Sequence, residues 1–440
     1  MTRRAPLAQL AKRITARRAR IGVIGLGYVG LPLAVEFAKE GFRVTGIDLD
    51  AKRVNGVERG RSYILDVSSE DLRRLRASGR LRATSSYDVL GSQDAILICV
   101  PTPLRKTREP DLSYILSATT EIARRVRKGQ LIVLESTTSP GTTDEVMLPA
   151  LEAHGLRAGK DFCLAFSPER IDPGNPTYTT RTIPKVIGGI TPTCTRLATA
   201  LYSCAIDRTV PVSSSQVAEM VKLLENTFRA VNIGLVNEIA LICDRLGIDV
   251  WEVIEAARTK PFGFMPFYPG PGIGGHCIPS DPMYLAWKVR VHGFEARFIE
   301  LATQINSAMP QYVVERVSRV LNDRRKSLKG SRVLLLGLAY KKDVSDLRDA
   351  PAFDVARLLE ERGARVDYHD PHVPSALVNG ARRTSVPLTP STLRRADCVV
   401  LLTNHSRVDY DAVLRHAPVI VDTRNQYRDV SRTSSRVVKL

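Results

Sequence analysis

Short apolar runs alternate with segments of helical period through the first two hundred residues of the chain. Arg20–Gly25, Arg43–Asp48, Ala95–Val100, Leu131–Glu135 and Phe162–Phe166 are nearly continuous hydrophobic stretches and predict buried parallel strands. Between them, Leu31–Glu40, Ser69–Ser78, Asp111–Val126 and Thr142–Ala153 predict helices, which gives the strand–helix rhythm of a doubly wound sheet. The rhythm stops near Ser213-Ser214-Ser215, a set of helix-cap residues. From Gln216 to Leu246, apolar residues at Val217, Val221, Leu224, Phe228, Val231, Leu235, Ile239 and Ile242 fall three or four apart. A helix of about 30 residues spans about 45 Å, longer than one small domain needs, so it joins domains or packs on a second subunit. Strand patterns then resume at Arg332–Gly337, Arg365–His369, Cys398–Thr403 and Pro418–Asp422, with a helix at Ala352–Arg362. The expected fold class is α/β, with two doubly wound domains joined by a long central helix in a helical middle domain. The boundaries are a basic extension over 1–19, a first α/β domain over 20–212, a helical middle over 213–310 and a second α/β domain over 311–440. Two α/β halves around a helical middle point to an internal duplication.

Before the second half lies the stretch Pro261–Gly275, rich in proline and glycine. Its four interleaved aromatics argue against a solvated linker and predict an ordered loop whose glycines allow close approach of the backbone.

Composition narrows the function classes. The chain has 440 residues, 44% hydrophobic and 25% charged, ordinary values for a globular protein of two or three domains. Its longest apolar runs end after a few residues, far short of the roughly 20 a membrane-spanning helix needs, and no secretory signal is read at the start. Seven cysteines without a C-x-x-C pair argue against a disulfide framework or a zinc site, and for a reducing cytoplasm. The net charge of +18 raises nucleic acid as a partner. Residues 1–20 alone supply +7, from Arg3, Arg4, Lys12, Arg13, Arg17, Arg18 and Arg20. No nucleic-acid-binding motif accompanies these residues, so a solvated basic surface is expected, one that also suits a small anionic substrate.

Candidate chemistry begins with Gly25-Leu-Gly27-Tyr28-Val29-Gly30, directly after the first strand and opening a helix. The first glycine permits the turn, the second lets backbone approach a pyrophosphate, and the third allows close helix–strand packing. The helix N-terminus offers N–H groups to the phosphates. Asp48, 23 residues after Gly25, is placed to accept the adenosine ribose hydroxyls and disfavours a 2′-phosphate. The two glycine-loop features together predict a Rossmann-like domain that binds NAD, with nearby Arg53 keeping NADP open. Thr102 in Val-Pro-Thr-Pro and Thr137 in Glu135-Ser-Thr137 stand where loops leave the carboxyl ends of strands, as do Glu169 and Arg170. Taken alone, Pro-Thr-Pro is a rigid turn and an isolated glutamate is solvated surface. Cys277 differs from a typical buried cysteine because Gly274-Gly-His precedes it and Ile-Pro-Ser-Asp281 follows, the context of an accessible thiol. Lys222 and Asn226 share one face of the long helix, either as a polar stripe or as part of a site.

Together these motifs resemble the UDP-glucose/GDP-mannose dehydrogenase family over nearly the whole chain from Ala19. The resemblance is carried by Gly25–Gly30, Val100–Pro103, Glu135–Thr137, Ser167–Arg170, Lys222–Asn226, Gly274–Pro279, Lys341–Arg348 and Asp422–Arg424. It implies an NAD-dependent enzyme that removes two hydrides from C6 of a sugar nucleotide. Cys277 would be the nucleophile, passing through a thiohemiacetal and a thioester. Lys222 and Asn226 would stabilise the oxyanion, Asp281 with Thr137 and a water would manage the first proton, and Glu169 would be the base for hydrolysis. Whether Lys222 or the Asp281-bound water takes the first proton stays open. The resemblance also implies cofactor contacts from Tyr28, Val29, Thr102 and Arg348. Substrate contacts would come from Glu169, Arg170, Lys222, Asn226, Tyr268, Gly274, Lys341 and Arg424, with the second α/β domain holding UDP. Thr180–Gly189, Glu225–Glu238 and Tyr268–Cys277 read most like the branch that oxidises UDP-N-acetylhexosamines, UDP-N-acetylglucosamine first among them, for surface polysaccharide. UDP-glucose and UDP-N-acetylmannosamine remain alternatives. Ser280 stands where many UDP-glucose enzymes have a lysine, so that lysine's contacts do not carry over. The expected assembly is a homodimer through the long helix, or a higher homo-oligomer, with no metal. The competing reading is a silent, basic binding protein on the same scaffold, and intact Cys277, Lys222 and Asp281 argue against it.

Overall fold

The structure, a computed structural model, describes residues 6–64, 66–105, 109–171, 175, 177–430 and 435–440. It comprises two compact units, Met1–Glu225 with Met283–Gly293, and Asn226–Pro282 with Phe294–Leu440.

In the first unit the strands are β1 (Arg20–Ile24), β2 (Arg43–Ile47), β3 (Leu81–Thr84), β4 (Ala95–Ile98), β5 (Leu131–Leu134), β6 (Cys163–Phe166), β7 (Lys185–Gly189) and β8 (Thr209–Pro211). They form one sheet in the order β3-β2-β1-β4-β5-β6-β7-β8, parallel throughout except between β6 and β7. Apart from the exposed arginines that open β1 and β2, the predicted strands are nearly continuous apolar runs because both faces of the sheet are covered. Ile21, Val23, Leu97 and Val133 enter one core, while Ile24, Ile96, Ile98 and Leu134 enter the other. The flanking helices are α1 (Pro6–Thr15), α2 (Gly30–Lys39), α3 (Ala51–Glu58), α4 (Ser69–Ala77), α5 (Ser113–Ala123), α6 (Leu148–Glu152) and α7 (Pro192–Tyr202). The single helix expected over Thr142–Ala153 is a π-helical segment, Thr142–Met147, followed by α6. Strand order reverses between β1 and β4, which opens the ligand crevice at their carboxyl ends.

The basic N-terminal segment is a helix, but it is built into the domain and is not an appendage. Leu7, Leu10 and Ile14 of α1 lie in the same core as β1. Arg13 reaches buried Asp94 at 2.7 Å, which also pairs with Arg127 at 3.0 Å. Leu10→Ala is therefore expected to cost about 3 kcal/mol, read as a lower urea midpoint for the first unfolding transition; an unchanged midpoint would mean that α1 is dispensable.

Helix α8 (Ser215–Leu246) begins in the first unit and ends in the second. The remaining helices are α9 (Val250–Arg258), α10 (Cys277–Val291), α11 (Arg297–Asp323), α12 (Pro351–Glu361), α13 (Pro390–Arg395) and α14 (Tyr410–His416). The apolar stripe predicted on α8 is turned outward at Val217, Leu224, Phe228, Leu235 and Ile242, whereas Ala218, Leu223 and Ala240 are buried. The 27-residue α11 escaped prediction, because Pro310 and four valines (Val313, Val314, Val317, Val320) disguise its period, yet these residues pack its buried face.

The second unit's sheet contains β9 (Arg332–Leu336), β10 (Arg365–His369), β13 (Cys398–Leu401), β14 (Ile420–Asp422) and β15 (Val437–Lys439). Its order is β10-β9-β13-β14-β15, and β11 (Ser375–Val378) and β12 (Ala381–Thr384) form a separate hairpin. The two halves repeat one device. After β1, Gly25 has φ +92° and the Leu26 N–H donates to Asp48 Oδ2 at 2.7 Å. After β9, Gly337 has φ +85° and the Leu338 N–H donates to Asp370 Oδ2, also at 2.7 Å. This equivalence supports the duplication expected from sequence.

Candidate active site

In the first unit the glycine loop spans the β1–α2 turn, and its three glycines do three different things. Gly25 takes a left-handed φ, and a Cβ there would meet the Cys99 carbonyl oxygen at 2.4 Å. A Cβ on Gly30 would fall 1.8 Å from the Gly25 oxygen, so helix and turn are in contact. At Gly27 the nearest atom to a Cβ is 3.9 Å away, leaving open space beside the backbone. No side chain caps the N-terminus of α2, so its N–H groups and positive dipole face that space. Tyr28 is half exposed at its edge, and Val29 is the N-cap residue of α2.

Asp48 is buried and holds the loop, accepting from the N–H groups of Leu26 (2.7 Å) and Asp50 (2.8 Å). Arg53 sits on the same carboxylate at 3.3 Å. Part of its charge is thereby answered within the chain, while the guanidinium stays partly exposed at the edge of the glycine loop.

Thr102 and Thr137 stand in the loops that leave β4 and β5, and the Thr102 carbonyl accepts the Tyr284 hydroxyl at 2.8 Å. Beyond β6, Glu169 is buried and lies within the field of Lys222, itself buried on α8. Arg170 is committed elsewhere. It forks onto Glu225 at 2.6 and 3.1 Å and donates to the Pro184 carbonyl, so it braces α8 and has little left to offer a ligand. Lys185, on β7, lies between Glu169 and Glu135. Sequence reading passed over it, although a lysine opening the apolar run Val-Ile-Gly-Gly was a visible signal.

In the second unit Cys277 begins α10 and is the one exposed cysteine of seven. The Arg348 guanidinium feels its charge, and the Arg348 carbonyl accepts from the Gly275 N–H at 2.9 Å. A helix N-terminus and a nearby cation both stabilise negative charge on sulfur. Arg348 also pairs with Asp346 at 2.6 Å. Asn226 donates through Nδ2 to buried Asp281 at 2.6 Å, which leaves the second amide hydrogen for an oxyanion. Gly274 is packed so tightly on Tyr340 and Pro351 that a Cβ would fall 2.5 Å from the Tyr340 Cβ. The expected ordered loop is thus fastened by its glycines.

A cavity of about 730 Å³ in this unit is lined by Trp251, Glu255, Arg258, Tyr268, Arg424, Arg428 and Lys439, among others. Tyr268 stacks on Trp251 with ring centroids 6.1 Å apart and donates to Glu255 at 2.6 Å. Arg424 is half-buried against Gly270, and loss of hydration pulls its pKa down to about 10. Trp251 and Arg258 were not singled out from sequence, since a tryptophan and an arginine on an amphipathic helix look like core and surface. Lys341, half-buried, lies in the loop after β9. Among the described residues, Asp343, His372 and His405 cluster in a way that metal sites do. Both nitrogens of His405 are already engaged, one by the Asp343 N–H (2.9 Å) and one by Asp370 (3.1 Å), so the cluster reads as a hydrogen-bonded brace.

Three family models match the chain: the UDP-glucose/GDP-mannose dehydrogenase family NAD binding domain over residues 19–206, its central domain over 216–308 and its UDP binding domain over 334–429. The chain belongs to the UDP-glucose/GDP-mannose dehydrogenase family. It is 40% identical over 356 residues to a UDP-N-acetyl-D-glucosamine 6-dehydrogenase of Pseudomonas aeruginosa, covering 80% of this chain and 83% of that one. An NDP-N-acetyl-D-galactosaminuronic acid dehydrogenase of Ralstonia nicotianae is 35% identical, covering 92% and 96%. The solved UDP-D-ManNAc dehydrogenase of Pyrococcus horikoshii superposes with a TM-score of 0.86 at 32% identity, covering 96% and 98%. This dehydrogenase is an oxidoreductase that uses NAD, and its UDP-binding domain indicates a UDP-sugar substrate. The open space at Gly27, the uncapped α2 and Asp48 fit that cofactor. Helix α1 precedes the region that the family models cover. Among the described residues no helix is long and apolar enough to cross a membrane.

Proposed function

We propose that this dehydrogenase oxidises C6 of a UDP-N-acetylhexosamine, converting UDP-N-acetylglucosamine to UDP-N-acetylglucosaminuronate through a covalent bond to Cys277. The observation that carries the reading is the singular exposure of Cys277 at a helix N-terminus, beside a cation. The choice among N-acetylhexosamines rests on the 40% identity to the Pseudomonas aeruginosa glucosamine enzyme, while the glucosamine, mannosamine and galactosaminuronic acid enzymes of other organisms stand level at 35–36%.

NAD supplies the hydride acceptor for both oxidations. The first proton passes from the C6 hydroxyl to Lys222 or to a water held by Asp281 and Thr137. The Cys277 thiolate then adds to the aldehyde carbon, so the aldehyde is never free, and Lys222 and Asn226 donate to the resulting oxyanion. After the second oxidation the sulfur is held as a thioester. Water attacks the thioester carbon, its proton goes to Glu169, and the C–S bond breaks to restore the thiolate. Tyr268, Lys341 and Arg424 hold the UDP moiety, Gly274 brings backbone close to the sugar, and Arg348 serves the cofactor side. The outward stripe of α8 supports pairing as a homodimer. Seven cysteines with no disulfide among them suit the cytoplasm, and a uronate nucleotide suits the assembly of surface polysaccharide.

With limiting UDP-N-acetylglucosamine, two NADH per sugar are expected, with no aldehyde trapped by a carbonyl reagent. A plateau at one NADH overturns the covalent four-electron reading. The kcat/KM should be highest for UDP-N-acetylglucosamine across a panel that includes UDP-N-acetylmannosamine, UDP-N-acetylgalactosamine and UDP-glucose. A preference for any of the others overturns the substrate choice while leaving the chemistry.

A further inference from the structure

Glu169 is held from three sides. Its Oε1 accepts the N–H groups of Arg170 (2.8 Å) and Ile171 (2.9 Å), and its Oε2 accepts from Lys185 Nζ at 3.0 Å. Lys185 Nζ also donates to Glu135 Oε2 at 2.5 Å, and the Tyr202 hydroxyl donates to Glu135 Oε1. The four side chains come from four places: β7, the ends of β5 and α7, and the loop after β6. All are buried. An ammonium buried this deeply is retained only when it is paired and hydrogen-bonded, and here two carboxylates share one ammonium.

We propose that Lys185 is a positioning residue that keeps Glu169 ionised and aimed for thioester hydrolysis, with Glu135 and Tyr202 anchoring its ammonium group. The inference rests on the reading of Glu169 as the hydrolytic base. One oxygen of Glu169 is fixed by backbone, so the lone pair left on Oε2 beside Lys185 is the one that meets water. Burial works against the charge on Glu169, but Lys185, with the Arg170 N–H and Lys222, holds its carboxyl below the usual range. At Glu135 burial wins over Lys185 and the carboxyl is raised. The ionisable groups around Glu169 are Lys185, Glu135, Tyr202, Cys99 after β4, and Lys222 on α8, while Arg170 is paired away with Glu225.

The test uses two variants with opposite expectations. In Lys185→Met/Glu135→Gln one buried cation and one buried anion leave together, so the net buried charge is unchanged and folding is least disturbed. Without its cation, Glu169 protonates more readily. The acid limb of thioester hydrolysis, followed as decay of the Cys277 adduct by intact mass, should move up by about one pH unit or more. In Glu135→Gln, Lys185 belongs to Glu169 alone and the limb should move down. The carboxyl carbon resonance of Glu169, assigned by difference from Glu169→Gln, should shift its midpoint in the same directions. Unmoved midpoints, or a rate loss equal at every pH, overturn the role of Lys185. If Glu169→Gln hydrolyses the adduct normally, the base reading fails, and the resonance midpoints still decide whether Lys185 holds Glu169 ionised.

Discussion

Cys277→Ser is expected to lower turnover to the uronate by roughly three orders of magnitude or more, with NAD and UDP binding intact. A serine hydroxyl is far less acidic than a thiol, so it adds poorly to the aldehyde and is a worse leaving group from the acyl stage. The side chain is exposed, so the substitution opens no cavity and the loss cannot be assigned to unfolding. Glu169→Gln should fail differently. Both oxidations proceed, and a sugar-nucleotide adduct then accumulates on Cys277 because the attacking water has lost its base. Intact-mass measurement after mixing with substrate separates the two, since the adduct appears in the glutamate variant and never in the serine variant. Wild-type turnover by Cys277→Ser would end the covalent reading.

Gly30→Ala should abolish NAD binding and destabilise the first unit. The added methyl would fall 1.8 Å from the Gly25 carbonyl oxygen, a backbone atom of the phosphate loop that cannot rotate away. Overpacking of this kind costs about 1–3 kcal/mol, or several degrees in Tm, and the displaced loop loses its aim at the pyrophosphate. Gly27→Ala is the informative contrast. Its methyl meets only the Arg53 guanidinium, at 3.9 Å, so the fold should be unaffected while the space beside the backbone is filled. Calorimetric titration with NADH and a thermal melt on both variants check this. Gly30→Ala binding NADH as the parent does, or Gly27→Ala melting early, would contradict the division of labour among the glycines.

Much of the first unit was legible because its signals are local. A run such as Ala95–Val100 can only be a strand with both faces covered, and a glycine at Gly25 announces a left-handed turn wherever the chain folds. Asp48 could be placed at the end of a strand by counting. Residues 81–84 and 209–211 escaped because edge strands are short and half polar, and α11 escaped because its valines imitate a strand.

The sequence by itself determined the alternation of strands and helices, the phosphate loop, the family motifs and the cysteine to examine first, since each depends on residue type and spacing within a few turns of chain. Only the tertiary structure decided that α1 is a wall of the core and that the α8 stripe faces outward. It alone spent Arg170 on Glu225 and set Asp370 as the counterpart of Asp48. It also put Lys185 between two glutamates that lie 50 and 16 residues away in the chain. These outcomes depend on which distant segments share a dry interior, where one charge must find another, and no local pattern records that pairing.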